Sequence, residues 1–377
     1  MHVPLVDLQA HHQPIRDELF AACERLIERG QFILGPGVEQ FESDFASFIG
    51  TRNCVGLNSG TSALHLALQV CGIGPGDEVI TTPHTWISPS WAIAYVGATP
   101  VFVDIDPVTW TLDALLAAGA ITPRTKALLP VHLYGQAADL TRLEELARDH
   151  DLVLIEDAAE AHGARHDDRR VGSIGRVGCF SFTPDENLGA FGEGGAIVTD
   201  DDEIAAHVRR LRNHAQASPH QHVEIGYNMR MEGLQGAVLS TKLPHLDRWN
   251  DQRRQHARRY NDLLRDVPGL VLPQATDHNA HVWHMYVVLV ESMEREAFRN
   301  RLADRGISTA VHYPTPVPFQ PVFAHLGYRR GDFPIAEHVM HHCVSLPMFA
   351  ELTDEQILSV TDAIHECLMP AKRRVFA

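Results

Sequence analysis

Lysine is almost missing from this 377-residue chain: only Lys126, Lys242 and Lys372 occur among its 32 basic residues. Chemistry that needs a side-chain amine therefore has three places to find one. Positive charge is short overall, with 48 acids giving a net charge of −16. Such a balance disfavours nucleic acid and anionic membranes as partners and leaves a small molecule as the expected one. Long apolar runs are absent, since no stretch approaches the ~20 residues of a membrane span. The N-terminus, Met1-His-Val-Pro-Leu-Val-Asp7, has neither the basic region nor the apolar core of an export signal. The six cysteines form no CxxC pair and read as reduced, buried thiols of a cytoplasmic protein. Histidine is plentiful, at 24, yet no HExxH spacing occurs. The adjacent pairs His11-His12 and His341-His342 point in different directions on a helix, so no metal site is expected. The remaining composition, 45% hydrophobic and 21% charged, is that of a globular chain. Its length suits one large domain plus a smaller one.

Apolar residues recur at helical spacing over 15–29, and a second helix runs to about Ile49 after the Gly35-Pro36-Gly37 connector. From residue 54 short apolar runs alternate with helical patterns. Strands are expected at 77–81, 99–103, 127–132 and 152–155, and around Phe180 and 196–198. Helices are expected at 62–70, 88–96, 139–149 and 201–211. That alternation predicts an α/β fold whose large domain has a mostly parallel central sheet covered on both faces. Residues 213–226 form a polar loop, and 232–264 are helical with a break at Pro244. After Pro268 the pattern changes to strands at 281–290 and 307–313 and helices at 292–304 and 353–368. A smaller C-terminal α+β domain is expected over 251–377, with 1–250, including an N-terminal helical arm, as the large one. No internal repeat or low-complexity tract is present.

Two motifs carry chemistry on their own terms. Asn58-Ser59-Gly60-Thr61-Ser62 sits where a strand turns into a helix. Its hydroxyls and backbone N–H groups suit an anion, although a simple N-cap looks the same in sequence. Glu156-Asp157-Ala-Ala-Glu160 places acids at the carboxyl end of a buried strand, where open α/β sheets put ligands; a helix-capping Asp is the alternative there.

The stretch Ser181-Phe-Thr-Pro-Asp-Glu186-Asn-Leu-Gly-Ala-Phe-Gly-Glu-Gly-Gly195 resembles the cofactor-lysine loop of the DegT/DnrJ/EryC1/StrS family of pyridoxal-phosphate (PLP) sugar aminotransferases. The resemblance extends over nearly the whole chain through Gly35-Pro36, Ser59-Gly60-Thr61, Gly76-Asp77-Glu78-Val79, Gly97-Ala98-Thr99-Pro100-Val101, Glu156-Asp157 and Gly226-Tyr227-Asn228. It implies PLP fold type I. It also implies roles: Gly60, Thr61, Ser62 and Ser181 on the cofactor phosphate, Trp86 stacked on the pyridine face, Asp157 on the ring nitrogen and Glu160 near the phenolic oxygen. Asn228 would reach the neighbouring subunit's phosphate in a homodimer with composite sites. His312, Tyr313 and Pro318 would lie near the substrate.

Two positions depart from the family pattern. The family's Schiff-base lysine falls at Glu186, and a carboxylate forms no imine. Pro318 stands where a histidine is common, a change that ordinary substrate variation also produces. The reading that follows is an enzyme of sugar or natural-product biosynthesis with altered chemistry, such as dehydration, elimination or cyclisation of a sugar-like or keto intermediate. It would use Glu186 and Asp157 with non-covalent pyridoxamine phosphate (PMP) or a PLP adduct, or without any cofactor. The related sugar 3-dehydratase, which has histidine in place of lysine, is similar. Two alternatives stand beside it. One is an aminotransferase whose lysine has been replaced. The other is a non-catalytic subunit, either a partner for a lysine-bearing paralogue or a sugar-nucleotide binding protein.

Overall fold

The computed structural model describes residues 1–368, so Lys372 and the end of the expected small domain lie outside the described residues. Its centre is a seven-stranded sheet: β1 (Asn53–Leu57), β2 (Glu78–Thr81), β3 (Thr99–Phe102), β4 (Thr125–Leu129), β5 (Val153–Asp157), β6 (Val177–Ser181) and β7 (Gly195–Thr199). The spatial order is β1-β7-β6-β5-β4-β2-β3. Every neighbouring pair is parallel except those of β7, which runs antiparallel to both β1 and β6. The antiparallel strand is what makes the sheet mostly parallel rather than wholly so. The run Phe180 to Thr199 turns straight back on itself through the Glu186 loop, with no crossover helix between β6 and β7.

Because both faces of the sheet are covered, its strands are apolar throughout. On one face, Phe41 and Phe45 of helix Pro36–Ile49 meet Phe180 and Phe182 edge-on, with ring centroids 5.0–5.4 Å apart. Such aromatic contacts contribute roughly 0.5–1.5 kcal/mol each beyond the area they bury. The other face packs against helices Gly60–Val70 and Asp202–Leu211 through Leu64, Leu68, Ile204 and Val208. Helix starts follow local capping chemistry: Ser59, Asp113, Asp139 and Asp201 each accept a backbone N–H from the first turn. Helix Arg16–Arg29 ends on Gly30 at φ +65°, a left-handed conformation that glycine adopts without strain.

A second core lies under the three-stranded sheet of Leu270–Val271, Tyr286–Val290 and Cys343–Leu346. Helices Leu246–Leu264, Arg295–Ala303 and Asp354–Leu368 cover it. Helix Leu246–Leu264 bridges the two cores, with Leu246 in the first and Ala257, Tyr260 and Leu264 in the second.

Several expectations need correction. Residues 307–313 are not a strand; they make only isolated bridges, Ile307 to Val3 and Ala310 to Ser345. Of 281–290 only Tyr286–Val290 is strand. The loop 213–226 contains a short hairpin, Gln216–Ser218 with Gln221–His222. The helix Pro334–His342 and the strand Cys343–Leu346 carried no separate signal in the sequence. No helix is long and apolar enough to cross a membrane among the described residues.

Candidate active site

The carboxyl ends of the paired strands β5 and β6 and the amino end of helix Gly60–Val70 come together at one place. Gly60 lies directly against Ser181: a Cβ built on Gly60 would come within 2.7 Å of the Ser181 Cβ. Only a glycine permits that approach, and it puts the first turn of the helix beside the Ser181 hydroxyl. Ser62 is buried, its N–H is capped by Ser59 Oγ at 3.1 Å, and its hydroxyl lies 3.0 Å from the same oxygen. The Thr61 hydroxyl pairs with Ser88 Oγ at 2.8 Å. The Ser62 side chain is thus engaged in the cap, and the Ser181 hydroxyl lies 3.2 Å from Thr183 Oγ1.

Asp157 ends β5 and is 4% exposed. Its Oδ1 accepts only the Ala159 N–H, at 3.1 Å. Burial pushes its pKa up to about 6, against the pull of that N–H and of His132. Glu160 accepts the Tyr134 N–H at 2.5 Å and the Tyr313 hydroxyl at 3.0 Å. Burial raises its pKa to about 7; the two donors oppose the rise, and the Asp157 and Asp185 charges add to it.

Glu186 sits in the turn after Pro184, its own N–H bonded to Thr183 O at 3.0 Å. Its Oε2 is shut off from solvent and meets no hydrogen-bond partner among the described residues. Burial drives its pKa well above the usual carboxylate range; the Asp185 and Glu160 charges reinforce the shift, while Ser181 and the Thr183 backbone oppose it. The Tyr313 hydroxyl bonds Glu160, and burial with the Glu160, Asp157 and Glu186 charges holds its pKa well above the usual tyrosine value. Trp86 stands 58% exposed, its ring 5.8 Å from that of Tyr313. The open indole thus borders the Tyr313–Glu160 pair. Pro318 is buried in the turn Val317–Phe319, which is pinned to the Trp86 loop by Val317 N–H to Pro83 O at 2.9 Å. The His312 side chain turns away to Ser345 Oγ at 2.7 Å, and its carbonyl accepts the Tyr134 hydroxyl.

The structure thus brings together Gly60, Thr61, Trp86, Asp157, Glu160, Ser181, Glu186 and Tyr313. Asn228 stays apart. It is exposed beside the end of β1, and its side-chain oxygen holds Arg230 at 2.7 Å. Residues that sequence reasoning passed over support the pocket from behind. His162 is buried and donates Nε2–H to Ser181 O at 2.6 Å. Burial lowers its pKa to about 4, so it is neutral. Asn250 Nδ2 donates to His162 O and its Oδ1 receives Asn187 Nδ2, both at 2.8 Å. His84 lies behind the pocket against Tyr134, Nε2 to hydroxyl 3.0 Å. The signal for His84 and His162 was their place in the Trp86 and Asp157 motifs; for Asn250, 63 residues from Asn187, none existed. Among the described residues no group of three or more His, Cys, Asp or Glu side chains is placed to hold a metal ion.

The DegT/DnrJ/EryC1/StrS aminotransferase family profile matches residues 13–365. The chain is 46% identical over 364 residues to the dTDP-3-amino-3,4,6-trideoxy-alpha-D-glucose transaminase of Streptomyces venezuelae, covering 97% of this chain and 96% of that one. Its fold is similar to the crystal structure of S. venezuelae DesV, with a TM-score of 0.95 and 45% identity over 98% of this chain and 99% of that one. It is also similar to NtdA of Bacillus subtilis, solved with bound cofactor PMP, with a TM-score of 0.90 and 27% identity over 98% and 86% of the two chains.

Proposed function

This chain belongs to the DegT/DnrJ/EryC1/StrS aminotransferase family, and from that premise we propose that it acts on a nucleotide-linked keto or amino sugar with PMP held without a covalent bond. Glu186 is its acid–base group. The family is PLP- or PMP-dependent. The observation that carries the proposal is the Glu186 carboxyl, shut in the pocket with Oε2 lacking any donor among the described residues. A cationic amine satisfies that oxygen. It also relieves the crowding of Glu186, Glu160 and Asp157, since two unit charges 4 Å apart attract by about 4 kcal/mol at an effective dielectric near 20.

The residues fit the cofactor and lack only its tether. Gly60 can take no Cβ beside Ser181, which suits a phosphate packed on the helix end. Asp157 is a buried acid at the strand end, and Trp86 is an open aromatic face. No lysine reaches the pocket among the described residues: Lys126 is exposed on β4, and Lys242 bonds to the far side of the Glu186 loop. When bound, the cofactor supplies an amine and an electron sink. Asp157 would hold a proton on the ring nitrogen, the Tyr313–Glu160 pair would orient bound groups, and Glu186 Oε2 would take or give a proton at the substrate carbon. A carboxyl held near or above neutrality by burial suits that task better than an ordinary one. The sugar class is carried over from the relatives, and Pro318 in its buried turn gives the substrate side an apolar wall. We also assign a two-fold dimer with composite sites, in which the exposed Asn228 serves the partner's pocket.

The test is calorimetric and chemical together. Titration with PMP and PLP should show PMP bound at least tenfold more tightly, and Glu186→Gln should abolish the difference. Borohydride trapping of a lysine–PLP adduct in the native chain sinks the proposal. Amino transfer gained by Glu186→Lys, with no turnover of any kind in the native chain, supports instead an aminotransferase that has simply lost its lysine.

A further inference from the structure

We propose that Lys242 is a positioning residue for the Glu186 loop: its buried amine holds the Gly189 carbonyl from behind, fixing the depth of Glu186 in the pocket and tying the loop to the N-terminal arm. Lys242 is fully buried at the end of helix Gly233–Lys242. Its Nζ donates to Gly189 O at 2.5 Å and to His12 Nε2 at 3.3 Å. Its hydrogen-bond partners are the Gly189 carbonyl and His12, and the Glu351 charge acts on it without a direct hydrogen bond. An apolar side chain of similar volume avoids the cost of burying the charge.

Gly189 transmits this hold directly. Its Cα is packed so closely on the Pro184 turn that a Cβ would fall 2.3 Å from Pro184 O. Pro184 is two residues from Glu186, so a displaced Gly189 displaces the turn that presents the carboxyl. Three other side chains grip the same loop: His162 at Ser181, Asn250 at Asn187 and Gln235 at Phe191. Lys242 alone of the four also reaches the arm. There, His12 stacks edge-on against Phe191, and its neighbour His11 pairs with Glu351 at 2.9 Å. Trp249 lies beneath the amine at 6.0 Å. Burial lowers the pKa of Lys242 to about 7 and that of His12 to about 4, so His12 is a neutral acceptor at neutral pH while either form of the amine still donates.

The experiment measures amide hydrogen exchange across residues 183–191 in the full chain without added cofactor, together with the dissociation constant for PMP. Lys242→Met should raise exchange in this loop at least tenfold and weaken PMP binding about tenfold. Leu302→Ala, a large-to-small change in the second core, serves as a control for general destabilisation and should do neither. Lys242→Gln keeps a donor at shorter reach, should fall between the two, and substitutes for the methionine variant if that variant does not fold. His12→Ala should loosen the arm and raise loop exchange by a smaller factor. Loop exchange no greater in the Lys242 variants than in Leu302→Ala overturns the proposal. Because exchange is read without cofactor, a failure of PMP to bind at all counts against the proposed function, and the exchange rates still decide whether Lys242 positions the loop.

Discussion

Replacing Glu160 by glutamine should stabilise the cofactor-free protein at pH 8 and change little at pH 5. Glu160 is pushed by burial from an ordinary 4.5 to about 7. A carboxyl whose folded pKa is raised contributes its full stability below about pH 4.5. It loses that contribution as pH rises to about 7, because the unfolded chain ionises first; beyond that the loss is constant. At about 1.4 kcal/mol per tenfold in proton affinity, the charged form costs about 3 kcal/mol at pH 8 and less than about 1 kcal/mol at pH 5. Glutamine removes the charge and keeps one oxygen for the Tyr134 N–H, while its amide nitrogen takes the other position and can donate to the Tyr313 hydroxyl oxygen. For a chain of this size the gain corresponds to roughly 5 °C in melting temperature at pH 8. Matched thermal scans of the two proteins at pH 5 and pH 8 measure it. An equal shift at both pH values, or a lower melting temperature for Glu160→Gln at pH 8, refutes the claim that burial of charge strains this pocket.

Gly60→Ala should weaken binding of any phosphate-bearing ligand at least tenfold in a PLP titration, because the new methyl lands 2.7 Å from Ser181 Cβ; unchanged affinity would remove the cradle from the reading. Tyr313→Phe deletes a donor that holds the Glu160 pKa down, so that carboxyl should titrate above about 7, read by carbon-13 NMR of labelled glutamate. Arg212→Met leaves Glu42 buried with its charge unpaired and should cost about 3–5 kcal/mol in urea unfolding; a loss under about 1 kcal/mol would show that the pair is not shielded.

Much of the fold was legible because strands buried on both faces read as continuous apolar runs and helices announce their caps. Val153–Asp157 and Ser59–Gly60 are found from a few residues of local pattern. The antiparallel course of β7 is not local: it depends on Gly195 meeting Ser59, and a Cβ there would fall 2.2 Å from Ser59 O. Residues 307–313 alternate like a strand, yet Tyr313 and His312 are spent on Glu160 and Ser345 rather than on a ladder. Glu186 stood out in the sequence by its type alone. Its surroundings draw on Glu160 and Tyr313, which lie 26 and 127 positions away. Lys242 looked in sequence like one of few amines available to the reaction. Only three-dimensional packing shows it behind the loop.

Trp86 gives this pocket an optical signature. Of the five tryptophans, Trp110, Trp249 and Trp283 are buried, Trp91 is 38% exposed and Trp86 is 58% exposed. Water-exposed indole emits to the red of buried indole, so the long-wavelength edge of the protein's fluorescence comes chiefly from Trp86. A flat ring settling against it should quench that edge and leave the emission of the buried tryptophans in place. The fluorescence spectrum of the protein therefore doubles as an occupancy gauge, without any label.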